Sequence, residues 1–313
     1  MRFAPLRGAN RIPIRGLAGA VALLLVAGAC GSGHGTSAGG ALAGSTTTTT
    51  VISASGAGPG GGAASATTTG RHSSAPGSAS PATTARSAQT QQSLADAANG
   101  APGGFGGFVL APGAAKTIVL DVLVQPGETA DASVLSTLRQ ILVSASGKPV
   151  TLHGPDALNA SGSVYTADQI TKLADSQGVA QGNGAAVLHL LYLKGSFTDN
   201  SALGVTVRAD TTAVFPDQMA QASSVVVSQQ RIEQAVDTHE LGHVLGLVDL
   251  YLDDHRADPQ HPGHSTNPHS VMYWAVESDL VSQVLSGPPP VDFDGADQAD
   301  LQKIHSGAPP AAQ

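Results

Sequence analysis

His239, Glu240 and His243 stand in the order H-E-L-G-H. Two histidines at i and i+4 lie on one face of a helix about one turn apart, so both imidazoles can reach one tetrahedral Zn2+. Glu240, beside them, can hold a water molecule at that ion and take its proton, the chemistry of metal-assisted hydrolysis. The chain contains only four Glu and eleven His, so composition does not account for the motif.

A helix must position these side chains, and the pattern predicts one over 229–246. Ile232, Ala235, Val236, His239 and His243 form a single stripe, Ser228 precedes the first turn and Gly246 follows the last. Upstream, the β-branched run 117–125 closes at Pro126-Gly127 and reads as a strand, and 132–143 carries apolar residues at helical spacing. A short strand at 149–152, a helix at 167–176 and a strongly apolar strand at 186–193 follow. Residues 204–207 and 212–215 read together as a fourth strand with an irregular middle. Strand and helix in alternation predict a mixed, mainly parallel sheet covered by helices. Near the end, D-F-D-G-A-D at 292–297 opens a helix over 296–304, where acids are favoured by exposed N–H groups. The same run, and Asp253-Asp254, could alternatively bind Ca2+ through closely spaced carboxylates.

The motif continues as H-E-L-G-H-V-L-G-L-V-D, and N-P-H-S-V-M-Y-W follows at 267–274. Together these resemble the metzincin metallopeptidases, with H-E-x-x-H-x-x-G-x-x-(H or D) and a Met-turn. The Met-Tyr order is similar to the matrixin branch, although Trp274 replaces its usual Pro. The resemblance is specific only from His239 to Trp274. It implies an α+β fold: a twisted mixed sheet with a backing helix and an active-site helix, then an irregular C-terminal subdomain with Met-turn and terminal helix.

It also implies that Gly246 ends the helix in a left-handed turn and brings a third ligand back to Zn2+. Position i+10 of a straight helix would stand about 15 Å along the axis from His239. Asp249 is the expected third ligand, as in the snapalysin-type exception, and His255 is the competitor. Met272 is expected beneath the metal and Tyr273 in the wall of the S1′ pocket, while His261, His264 and His269 read as solvated residues of a polar loop, with a second metal or an S1′-side contact as the alternative. His153 and His189 receive no functional reading, and 276–290 has no counterpart in the family. The implied activity is zinc-dependent endopeptidase hydrolysis of polypeptides with Glu240 as general base. A surface lipoprotein that binds zinc without turnover is the alternative, and retention of Glu240 argues against it.

Composition divides the chain of 313 residues. Arg2, Arg7, Arg11 and Arg15 precede an apolar run from Leu17 to Ala29, too short for a permanent membrane span, so 1–29 reads as an export signal. It ends V-A-G-A-C, which resembles the lipobox of bacterial lipoproteins and implies lipidation of Cys30, the only cysteine. From 31 to 104, 57 of 74 residues are Gly, Ala, Ser or Thr. Too little apolar surface is available there to offset chain entropy, so 30–104 is expected to be a flexible tether. Residues 105–313 then form the catalytic domain, with nine basic and 22 acidic residues. That acidity excludes a nucleic-acid partner and leaves the lipid as the only contact with a membrane. The expectation is a monomer, exported and either anchored on the outer side of the membrane or secreted.

Overall fold

The computed structural model describes residues 94–254 and 256–311. The export signal, Cys30, most of the tether and His255 lie outside the described residues. In chain order the strands are β1 (Thr117–Val124), β2 (Val150–Ala157), β3 (Val164–Tyr165), β4 (Ala185–Tyr192), β5 (Ser196–Phe197), β6 (Gly204–Arg208), β7 (Thr211–Val214), β8 (Ala257–Asp258) and β9 (His261–Ser265). The α-helices are α1 (Gly106–Leu110), α2 (Ala132–Ser146), α3 (Ala167–Gln177), α4 (Pro216–Ala222), α5 (Gln229–Leu245), α6 (Val281–Val284) and α7 (Gly295–His305), with a 3-10 helix at Trp274–Glu277. None of these is long and apolar enough to cross a membrane.

Five strands form one sheet in the order β2-β1-β4-β7-β6, parallel except for β6, which pairs antiparallel with β7. Strand alternation sends side chains to both faces. Ile118, Leu120 and Val122 of β1 pack on one face with Leu135 and Leu138 of α2 and Ile232 and Val236 of α5. On the other face Leu123, Leu191 and Ala213 meet Ile170 and Ala174 of α3. The sheet is therefore a middle layer, and α5 lies across it with its motif end toward β6.

Two expectations change. The single irregular strand over 204–215 is instead a tight hairpin of β6 and β7, which places β6 at the sheet edge. Its turn lacks Gly, Pro and Asn; it is fixed by Arg208 Nε donating to Asp210 Oδ1 at 2.7 Å and by Ala209 N–H donating to the Gly100 carbonyl at 3.0 Å. Secondly, the folded domain begins before residue 105. Residues 94–98 are helical, and Leu94 and Ala98 are buried in the main core.

Candidate metal centre

Helix α5 starts where the Ser228 hydroxyl accepts the Arg231 N–H at 3.2 Å, and stops at Gly246, whose φ of 86° is left-handed. A Cβ there would come within 2.4 Å of the Tyr251 Cβ, so glycine is required for space as well as for conformation. From Ile232 on, this helix is almost wholly buried, and His239 and Glu240 are 0% exposed. Its polar groups must therefore find partners inside the protein.

His239 Nδ1 lies 2.6 Å from the Val271 carbonyl, which can only accept, so this nitrogen carries the proton and Nε2 keeps its lone pair. The Nε2 atoms of His239 and His243 stand 3.0 Å apart. Strand β9 brings His264 to the same place: its ring stacks on His239 at 5.1 Å and meets His243 edge-on at 5.0 Å. Glu277 closes the group, with Oε1 3.0 Å from His264 Nε2 and Oε2 3.6 Å from His239 Nε2. One ligand atom from each of His239, His243, His264 and Glu277 lies within 4.8 Å of all the others.

Beside this cluster Glu240 Oε2 accepts the Thr206 hydroxyl of β6 at 2.7 Å, while Oε1 has no partner. Burial, reinforced by the neighbouring charge of Glu277, holds the Glu240 carboxyl well above the usual carboxylate range. Burial and the adjacent His239 push the His243 imidazole well down. Burial alone would lower His264 and raise Glu277, but hydrogen bonding first and charge second oppose it: Glu277 holds His264 up, and the neighbouring imidazoles hold Glu277 well down.

Met272 lies directly under the helix. A Cβ on Gly242 would come within 2.2 Å of its Sδ, so the glycine inside H-E-L-G-H lets the thioether reach the backbone below the histidines. The turn is tied in from two sides. The Met272 carbonyl accepts the Ser265 N–H of β9 at 2.8 Å, and the Ser270 hydroxyl donates to Asp297 of α7 at 2.6 Å. Tyr273 follows, partly buried, with its ring 5.7 Å from Trp274.

The structure thus brings His239 and His243 together with Met272 beneath their helix, sets Glu240 next to Glu277 of the cluster, and leaves Asp249 outside it. After Gly246 the chain keeps a left-handed course through Val248 and Asp249, with φ of 53° and 63°. This course directs the Asp249 carboxylate into the next turn, where it accepts the N–H groups of Asp254 at 3.1 Å and Ala257 at 2.8 Å. His264 takes the place expected for Asp249. Of the other loop histidines, His261 stacks on Trp274 at 4.4 Å and His269 is exposed. In the acidic run, Asp294 caps α7 by accepting from Ala296 and Asp297, as the helix-start reading anticipates.

No protein-family model matches this chain, and no curated protein matches it in sequence. Among solved structures, it is similar to the archaemetzincin of Methanopyrus kandleri at 16% identity and a TM-score of 0.40, over 62% of this chain and 97% of that one. It is also similar to the archaemetzincin of Archaeoglobus fulgidus (15% identity, TM-score 0.36, 59% and 99% of the two chains). A zinc-dependent peptidase from Methanocorpusculum labreanum gives 16%, 0.37, 59% and 99%. The likeness is loose. It carries neither fold nor chemistry from those proteins to this one, and the donor geometry stands by itself.

That geometry fits Zn2+. Bonds of about 2.0 Å at tetrahedral angles put donor atoms roughly 3.3 Å apart, close to the 3.0 Å between the two helix imidazoles. His264, which can offer one nitrogen to an ion, is buried there without a hydrogen-bond partner, as is Glu240 Oε1. Sequence reasoning missed His264 and Glu277. For Glu277 a signal existed: it is one of four Glu in the chain, and stands five residues after Met272.

Proposed function

We propose that this chain is a zinc-dependent peptidase, metzincin-like in its order of helix, glycine turn and Met-turn, with His239, His243 and His264 holding the ion. The observation that carries this reading is the buried carboxyl of Glu240, one oxygen fixed by Thr206 and the other unpartnered, close enough to Glu277 of the cluster to feel its charge. Zn2+ bound there supplies Lewis-acid polarisation of a carbonyl and a water of lowered pKa. The chain's own residues do the rest. Glu240 takes the water proton on Oε1 and delivers it to the leaving amine, while Thr206 fixes its rotamer. The Val271 carbonyl holds His239 in the tautomer that ligates.

A polypeptide is the substrate class, since β6 is an edge strand that carries Thr206 against Glu240, and an extended peptide can add to such an edge. Export and anchoring through lipidated Cys30, with action on polypeptides outside the cell, belong to the same reading. They are supported by the arginines ahead of the apolar run and by V-A-G-A-C. Glu240→Ala is expected to retain zinc and the fold while cleavage of a broad peptide library falls by roughly 10²- to 10⁴-fold. Equal cleavage by the variant, or none by the zinc-loaded wild type, overturns the reading. One observation favours the non-catalytic alternative: with Glu277 the cluster has four protein donors.

A further inference from the structure

Four donors are a full tetrahedral set, and a zinc site that works on a substrate keeps one position open. The fourth donor here differs from the other three. His239 and His243 come from one buried helix and His264 from a strand bonded to the Met-turn, whereas Glu277 is the last residue of the 3-10 helix Trp274–Glu277. Its side chain is 28% exposed, against 0% for His239 and 14% for His264, so it stands on the solvent side of the cluster, where a water or a peptide has to approach. Glu277 Oε1 stands 3.0 Å from His264 Nε2 and Oε2 3.6 Å from His239 Nε2, so the carboxylate faces two of the three imidazoles at once. All four side chains offer a donor atom within 4.8 Å of the others, as ligands of one ion must.

The backbone around Glu277 is held by a small set of contacts. Its carbonyl accepts the Leu203 N–H at 2.6 Å, Asp279 N–H donates to the Ser201 carbonyl at 2.8 Å, and Ser278 bridges Ala202 antiparallel. Residues 277–279 thus lie as a short added strand on 201–203, the segment that leads into β6. An extended peptide pairing with 201–203 would need the same N–H and C=O groups.

We propose that Glu277 is a fourth, displaceable protein ligand that closes the zinc centre, and that a substrate strand opens it by taking the place of 277–279 on 201–203. This rests on the zinc-peptidase reading and adds to it a latency built from the chain's own C-terminal region. It also answers the alternative function: the four-donor set is the resting state of the enzyme.

The test uses the full chain as wild type, Glu277→Gln and His239→Ala, with zinc affinity measured by chelator competition and the visible absorption of the Co2+-loaded protein. Gln is nearly isosteric with Glu and keeps the backbone contacts of 277–279. His239→Ala is expected to lose the metal. Glu277→Gln is expected to bind zinc weaker by about tenfold or more, at least what the loss of an outer-shell partner costs. Its cobalt spectrum should shift as water replaces a carboxylate, and its peptide cleavage should exceed that of wild type. If Glu277→Gln keeps wild-type affinity and spectrum while His239→Ala loses the metal, Glu277 is no ligand and the zinc centre stands without it. Weaker zinc with cleavage lowered in proportion makes Glu277 a ligand but refutes the latency. Should His239→Ala retain the metal as well, the zinc centre itself falls, and this proposal with it.

Discussion

Asp249 and His264 exchange the roles their sequence positions suggest, and the exchange can be measured. Removing the Asp249 carboxylate orphans the N–H groups of Asp254 and Ala257 without touching the cluster. Asp249→Ala is therefore expected to lower stability by about 1–3 kcal/mol and to leave zinc affinity unchanged. His264→Ala should lower zinc affinity strongly; chelator competition that ranks the two the other way returns Asp249 to the metal. At this scale the sequence is legible where the geometry is local. The i, i+4 pair of His239 and His243 and the neighbouring Glu240 need only a helix, and Met272 needs only the glycine of the same motif to approach. His264 and Glu277 depend on how a polar, Pro-rich loop folds back over the helix, and no periodicity records that.

Among the elements, the turn after α5 carries a titration of its own. The Asp254 carboxyl is raised to about 6, first by burial and then by its hydrogen bond with Asp249, and Arg256 opposes the rise. A carboxyl whose folded pKa exceeds the unfolded value favours the fold in its protonated form. Its contribution is complete below about pH 4 and is lost as the pH rises through 6. Asp249 titrates with it as a pair, so the sharpest comparison is with Asp254→Asn, which cannot titrate. Relative to that variant, the thermal midpoint of the wild type should fall between pH 4 and pH 7; a constant gap across that range refutes the assignment. The longer elements were readable from sequence because their periods were clear: β1, β4, α2 and α5 follow apolar runs or stripes. The β6–β7 hairpin was not, since its two-residue turn has a single Asp and no Gly, Pro or Asn, and is held by a buried Arg208–Asp210 pair and the Gly100 carbonyl.

For the molecule as a whole, the folded domain extends into residues whose composition resembles the tether. Leu94 is fully buried, Asn99 Oδ1 accepts from Arg208 at 2.9 Å, and Gly100 braces the β6–β7 turn. Ala, Gly and Ser around Leu94 hide this start, because one leucine gives no period. A chain beginning at residue 105 is expected to unfold at distinctly lower urea than one beginning at residue 31. The lost Leu94 side chain alone is worth about 2–5 kcal/mol, a large share of the 5–15 kcal/mol typical of a domain. Coincident urea midpoints would move the start of the domain back to residue 105.

Trp274 is the only tryptophan in the chain, its indole lies over the His261 ring at 4.4 Å and 7°, and it opens the 3-10 helix that Glu277 closes. The protein therefore carries its own optical probe on the segment that brings Glu277 to His239, His243 and His264. Selective excitation near the red edge of protein absorption reads that single indole without a label. Peptide titrated into the zinc-loaded chain is expected to shift the emission as Trp274 leaves the imidazole. Emission that stays constant while cleavage proceeds would mean that the segment does not move during turnover.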